Sequence, residues 1–137
     1  MTIVTALAAI NTVVGAVTGI NQSMGYPAET SSVYPVAVCY VRDGTLQSGS
    51  LDGQKHLVNI AIDVMTARKI LEIDMTTVTK FIDSVPAALL AQVTGAGGQF
   101  SGTIITFDTI NYELLDTSYA GVQMIGYRFI MGNVKIF

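Results

Sequence analysis

The chain has 137 residues, 50% of them apolar and only 12% charged, with a formal charge of -3 and a pI near 4.8. That length makes one domain with a sizeable core, and the acidic balance excludes a domain that grips nucleic acid through phosphates, which needs a basic face. Chains are usually about one-quarter charged, so a surface this poor in charge is expected to hide part of itself against partners.

The single cysteine, Cys39, excludes an internal disulfide and suits a reducing compartment. No Lys or Arg precedes the N-terminal apolar stretch, which therefore does not read as a secretory leader. Ile3 to Ile20 is apolar but broken by Thr5, Asn11, Thr12, Gly15, Thr18 and Gly19, the pattern of an amphipathic helix rather than a membrane span. Ile3, Leu7, Ile10, Val14 and Val17 recur at spacings of three and four, with Thr2 as N-cap and Gly19 or Gly25 near the end.

Val33 to Arg42 reads as a strand, with Pro35 near its start or on an edge because it has no N–H to donate. The following run, Asp43 to His56, holds three glycines and two serines and reads as a mobile arm or loop. Leu57 to Ala67 is the second strand: Val58, Ile60, Ile62 and Val64 face one way, Asn59, Ala61, Asp63 and Met65 the other. Arg68 to Val93 turns helical on Val78, Phe81, Ile82, Val85 and Leu89, with Asp74 as N-cap and a kink or fresh start at Pro86. Thr94 to Gly102 is a flexible link, Thr103 to Leu114 a third strand and Leu115 to Ser118 a turn. Tyr119 to Phe137 is apolar on both faces, as a strand covered on both sides is. Two helical segments cannot cover both faces, so Tyr127, Phe129 and Met131, or Ile130 and Val134 opposite, are expected to be covered from outside the chain.

Residues able to carry chemistry are sparse. His56 is the only histidine and sits in a Gly/Ser-rich run, so with Cys39 it makes neither a zinc cluster nor a rigidly held base. Cys39 has apolar neighbours and reads as a buried, inert thiol. The glycines at 44, 49 and 53 and at 95, 97, 98 and 102 fit no phosphate-binding pattern. The carboxylates Asp108, Glu113 and Asp116, and Asp63, Glu72 and Asp74, lack a calcium-loop spacing and read mainly as solvated. They have one functional version: acidic residues lining a passage repel DNA from its walls.

The run from Asp74 to Phe137 resembles tail terminator (tail completion) proteins of long-tailed bacteriophages. The phrases that carry this are Val85 to Leu90 (VPAALL), the Gly-rich link, a strand ending near Tyr112-Glu113, and a final strand with Tyr119, Gly121, Val122, Ile125, Gly126, Arg128, Phe129, Val134, Lys135 and Ile136. The first half matches in element order only. The resemblance implies an α+β fold in the order α-β-β-α-β-β, a mainly antiparallel four-stranded sheet with helices on one face. It also implies a non-enzymatic virion protein with no cofactor, assembled in the host cytoplasm. Its homohexameric ring caps the head-proximal end of the tail tube, stops polymerisation and takes part in head–tail joining. Expected partners are further copies, the tail tube protein and the head–tail connector, with DNA only as cargo through the lumen and no membrane. Gly44, Thr45, Leu46, Leu51, Asp52, Gly97, Gln99, Phe100, Tyr127, Phe129 and Met131 are the candidate inter-subunit or tube contacts. A head–tail adaptor or tail-tube subunit is the nearest alternative, and a small dimeric ligand-binding domain the alternative from another class.

Overall fold

A computed structural model describes residues 3–24, 34–50, 53–94, 106–119 and 121–136. In chain order the elements are α1 (Ile3–Gly15), β1 (Gln22–Met24), β2 (Val36–Ser50), β3 (Gly53–Ala67), α2 (Leu71–Thr79), α3 (Phe81–Thr94), β4 (Thr109–Tyr119) and β5 (Val122–Ile136). The strands form one sheet in the order β1-β2-β3-β5-β4, in which β1 runs parallel to β2 and the other pairings are antiparallel. The fold is therefore α+β, with five strands rather than four. The extra strand, Gln22–Met24, is too short to show a period of its own and pairs only with Val36–Val38.

The helices cover one face. Ala6, Ile10, Val13 and Val14 of α1, Val78 of α2, and Phe81, Val85 and Leu89 of α3 share a cluster with Ala37, Cys39, Ile60, Ile62, Val64, Phe129 and Met131 of the sheet. Burying each large apolar side chain here is worth roughly 1.5–3 kcal/mol. The helical segment after β3 is interrupted at Lys80, so the fresh start lies at Phe81 and Pro86 falls inside α3. Asp74 is not the N-cap; that position is Ile70. The Asp74 carboxylate reaches back instead, accepting the backbone N–H of Lys69 at 2.7 Å and of Ile70 at 3.0 Å, which satisfies two donors at the helix entry.

Residues 43–50 and 53–56 are strand rather than loop. β2 and β3 continue as a paired hairpin through Thr45↔Leu57 and Gln47↔Lys55 to Ser50↔Gly53. Its base is held because β5 still pairs with β3 at His56↔Ile136. Pairing on both sides of β3 offsets the weak strand preference of the Gly/Ser-rich sequence. Likewise Leu115–Ser118 is strand rather than turn. Leu115 packs against the Met65 and Met124 cluster, and the reversal moves to Gly121, whose φ of 80° suits glycine.

Where β3 meets β5, Val58 pairs with Val134 but Ile60 pairs with Met131, so β5 carries one extra residue. This is a β-bulge at Gly132-Asn133, with Asn133 at φ 56°, a conformation asparagine tolerates better than most residues. Val134 thereby joins Phe129 and Met131 on the helix-covered face instead of lying opposite them. Among the described residues no helix is long and apolar enough to cross a membrane.

Candidate functional site

Of the expected contact residues, Leu51, Asp52, Gly97, Gln99 and Phe100 lie outside the described residues. Gly44, Thr45 and Leu46 sit on β2 in the hairpin, all exposed. Phe129 and Met131 are fully buried beneath the helices, and Tyr127 is half-buried at the margin of the same core. Phe129 and Met131 are therefore core residues, and the outside cover expected for them is supplied by the chain itself. On the other face of β5, Met124 is also buried, within a small cluster of Val36, Val38 and Met65, while Ile130 is only half-buried. Both faces of β5 are thus largely satisfied internally.

The face away from the helices carries a row of charge. Asp63 of β3 lies directly across from Arg128 of β5, and Arg128 across from Glu113 of β4. The guanidinium grips the Asp63 carboxylate with two bonds, Nε to Oδ1 at 2.8 Å and Nη2 to Oδ2 at 3.2 Å. Tyr40 of β2 donates its hydroxyl to Oδ2 at 3.1 Å. Asp63 is 5% exposed, the one buried charged residue of the described chain. The paired carboxylate pushes the Arg128 pKa upward, chiefly through these hydrogen bonds. Burial, helped by the Asp63 charge, raises that of Tyr40. Glu113 is held loosely at 3.9 Å from Nη1 and is largely exposed, a geometry worth little. A tightly paired carboxylate with a capped arginine fixes strand register; it is poorly placed to exchange protons with a substrate.

A second polar group surrounds the bulge. Asn59 donates to Asp43, the Asn133 backbone N–H donates to Asn59 Oδ1 at 3.1 Å, and Asn133 Nδ2 donates to Asp108 at 3.1 Å. These bonds tie β2, β3, β5 and the approach to β4 together at the hairpin base. A shallow groove of about 290 Å³ beside them is lined by Asp43, Gly44, Thr45, Leu57, Asn59 and Asn133, with a single carboxylate. Another, of about 340 Å³ between α1 and α3, is lined by Thr12, Val13, Ala16, Val17, Ala88 and Gln92. Neither brings together the acid, base and nucleophile that a hydrolytic site needs. Among the described residues no three His, Cys, Asp or Glu side chains gather as a metal site. Cys39 is buried and hydrogen-bonded to Ser23, and desolvation pushes its pKa up to about 12, which suppresses the reactive thiolate.

One unsatisfied part of the described surface is β4. It is an edge strand of 11 residues whose pairing to β5 runs unbroken from Thr109↔Gly132 to Tyr119↔Val122. It contains no Lys, Arg or Pro, the residues that usually blunt an edge. Tyr112 and Leu114 share the helix-side face with Phe129 and Tyr127, yet lie beyond the helices' reach and are 56% and 55% exposed. Tyr112 packs only sideways, with ring centroids 6.4 Å from both Tyr127 and Phe129. The sequence reading does not single these residues out, although the alternation Ile110, Tyr112, Leu114 in a run without cations was a usable signal. No protein-family model matches the sequence, and a search of curated proteins finds no match.

Proposed function

We propose that this chain is a non-enzymatic virion protein of a long-tailed phage, a tail terminator. Copies of it form a ring, hexameric as in the family it resembles. The ring caps the head-proximal end of the tail tube, stops its growth, joins the tail to the head connector and leaves a channel for DNA. The observation that carries this reading is the open β4 edge with its exposed tyrosine and leucine, in a chain only 12% charged. Long uncovered edges invite pairing with another chain, and a closed ring of heterologous contacts removes them from solvent without runaway growth. The α+β sheet with helices on one face, and the phrases from Val85 to Ile136, agree with the same family.

The test is assembly. Light scattering of the purified chain, alone and with tube protein, should give one ring-sized species, and averaged electron images should show a hole wide enough for duplex DNA. A monomer or dimer under all these conditions overturns the reading and favours a binding module. Rings that stack unaided into long tubes point instead to a tube subunit. The hairpin tip is expected to contact the tube or a neighbouring copy, so deleting residues 45–54 should abolish tail joining while leaving the fold intact.

A further inference from the structure

We infer that the ring seam is a continued β-sheet, in which β4 of one copy pairs antiparallel with the open edge of β2 of the next. This rests on the homo-oligomeric reading above and specifies its interface. Two edges of the sheet are unpaired among the described residues. One is β4 along its whole length. The other is β2 beyond Val38, because β1 pairs only with Val36–Val38 and no described strand covers Cys39–Ser50 on that side. The free lengths match: β4 has 11 residues, and Cys39–Ser50 is of similar extent. The directions match too. β2, β3 and β5 alternate in sense, so β4 runs opposite to β2. Copies placed side by side with their helices on the same side therefore meet as an antiparallel pair, the geometry in which short strands pair most readily.

The side chains fit this seam. On the helix side, β4 brings Tyr112 and Leu114, half exposed for want of a covering helix. On the receiving copy, α1 lies at that edge: Asn11 accepts a hydrogen bond from Ser23 of β1, and Gly15 is packed so closely on Ser23 that a Cβ there would come within 3.2 Å. Val4 and Ala8 lie on the same helical stripe as Asn11 and Gly15, spaced by four, three and four residues. Val4 is 76% exposed and stands roughly 10 Å along the helix from Asn11. An arriving β4 that stays clear of β1 sets Tyr112 beside Leu46 of β2, itself 48% exposed.

Charge agrees as well. β4 holds two carboxylates, Glu113 and Asp116, and no base. Asp116 is occupied by Arg68 at 3.2 Å, whereas Glu113 is only loosely held. The open part of β2 presents Arg42, exposed and without an ion-pair partner among the described residues, next to Asp43, whose carboxylate accepts a hydrogen bond from Asn59. With Tyr119 level with Cys39, just clear of β1, Leu114 comes beside Gly44 and Glu113 beside Thr45 on the far face.

Two measurements test this. Leu114→Lys and Tyr112→Lys change residues already half exposed, so the thermal midpoint of the subunit should hold while association weakens at least tenfold in light scattering. In a chain carrying both Thr45→Cys and Glu113→Cys, mild oxidation should produce a reducible ladder of cross-linked copies; buried Cys39 stays silent. If the parent chain assembles but the lysine variants assemble equally well and no ladder forms, the seam is wrong while the ring reading stands. If the parent never assembles and no ladder forms, both fail.

Discussion

Removing Arg128 tests what the buried charge does for the sheet. Asp63 is 5% exposed and the Arg128 side chain 30% exposed, so Arg128→Met leaves a carboxylate desolvated with only the Tyr40 hydroxyl as donor. Stripping one partner from a buried pair costs about 3–5 kcal/mol. Water reaches this arginine in part, so the lower end, about 3 kcal/mol, is the expected loss. In a chain of this size that is a fall of roughly 10 °C in Tm, or of about 1–2 M in the urea midpoint at an ordinary m-value. The double variant Asp63→Leu, Arg128→Met removes both charges and should lie within about 1 kcal/mol of the parent, because well-packed apolar replacements of buried pairs are often neutral. Urea unfolding at one fixed protein concentration, followed by far-UV circular dichroism, measures the cycle without interference from mass action. A single-variant loss below about 0.5 kcal/mol, or a double variant as damaged as the sum of its parts, refutes the pair as a register device.

Other outcomes follow from single positions. A Cβ on Gly126 would run into the Val64 carbonyl oxygen and sit 2.7 Å from the Met65 Cα, both backbone, so Gly126→Val should force β3 and β5 apart; a normal thermal midpoint for it would contradict the Met65↔Gly126 register. Phe81→Ala empties a fully buried site beneath α3 and should cost about 3–5 kcal/mol in urea titration. Asn133→Val places a β-branched residue at φ 56° and removes the bond to Asp108, with an expected loss of about 2 kcal/mol, against a smaller loss for Asn133→Gly. Burial raises the Cys39 thiol from 9.0 to about 12, so the folded chain holds its proton longer than the unfolded one. Its stabilising contribution is then complete below pH 9 and lost as pH rises toward 12; Cys39→Ala should flatten that part of the stability profile, and thiol reagents at neutral pH should label Cys39 only on unfolding.

What could be read in the sequence was whatever repeats with a period. The alternation of Val58, Ile60, Ile62 and Val64 gave β3 its correct face, and the stripe Val78, Phe81, Val85, Leu89 named the residues that α2 and α3 bury. Features set by pairing between distant segments were hidden. Gln22–Met24 is a strand only because the start of β2 lies beside it. Gly/Ser-rich hairpin residues are ordered by pairing, against their own propensity. One extra residue at Gly132-Asn133 moves Val134 to the opposite face from the one simple alternation assigns. Asp63 and Arg128 did leave a trace, as opposite charges in the apolar middles of two strands, but 65 residues separate them and nothing local joins them. The candidate contacts were misjudged for a related reason: Phe129 and Met131 are apolar because they are core, while Tyr112 and Leu114, which stay exposed, lie on the neighbouring β4.

The sheet order also sets a timetable. β2–β3 and β4–β5 are antiparallel pairs whose strands are two residues apart in sequence, and such units close in microseconds. The β3–β5 seam between them joins residues as far apart as Ala67 and Met124 at one end and His56 and Ile136 at the other. Closing it brings α2 and α3 over the sheet and incurs the largest loop entropy of any pairing in the molecule. This seam is therefore expected to be the late, rate-setting step. Gly126, where β5 leaves no room for a side chain against the β3 backbone, then governs how fast the chain folds as well as whether it stays folded. Substitutions confined to either hairpin should act mainly on the rate of unfolding.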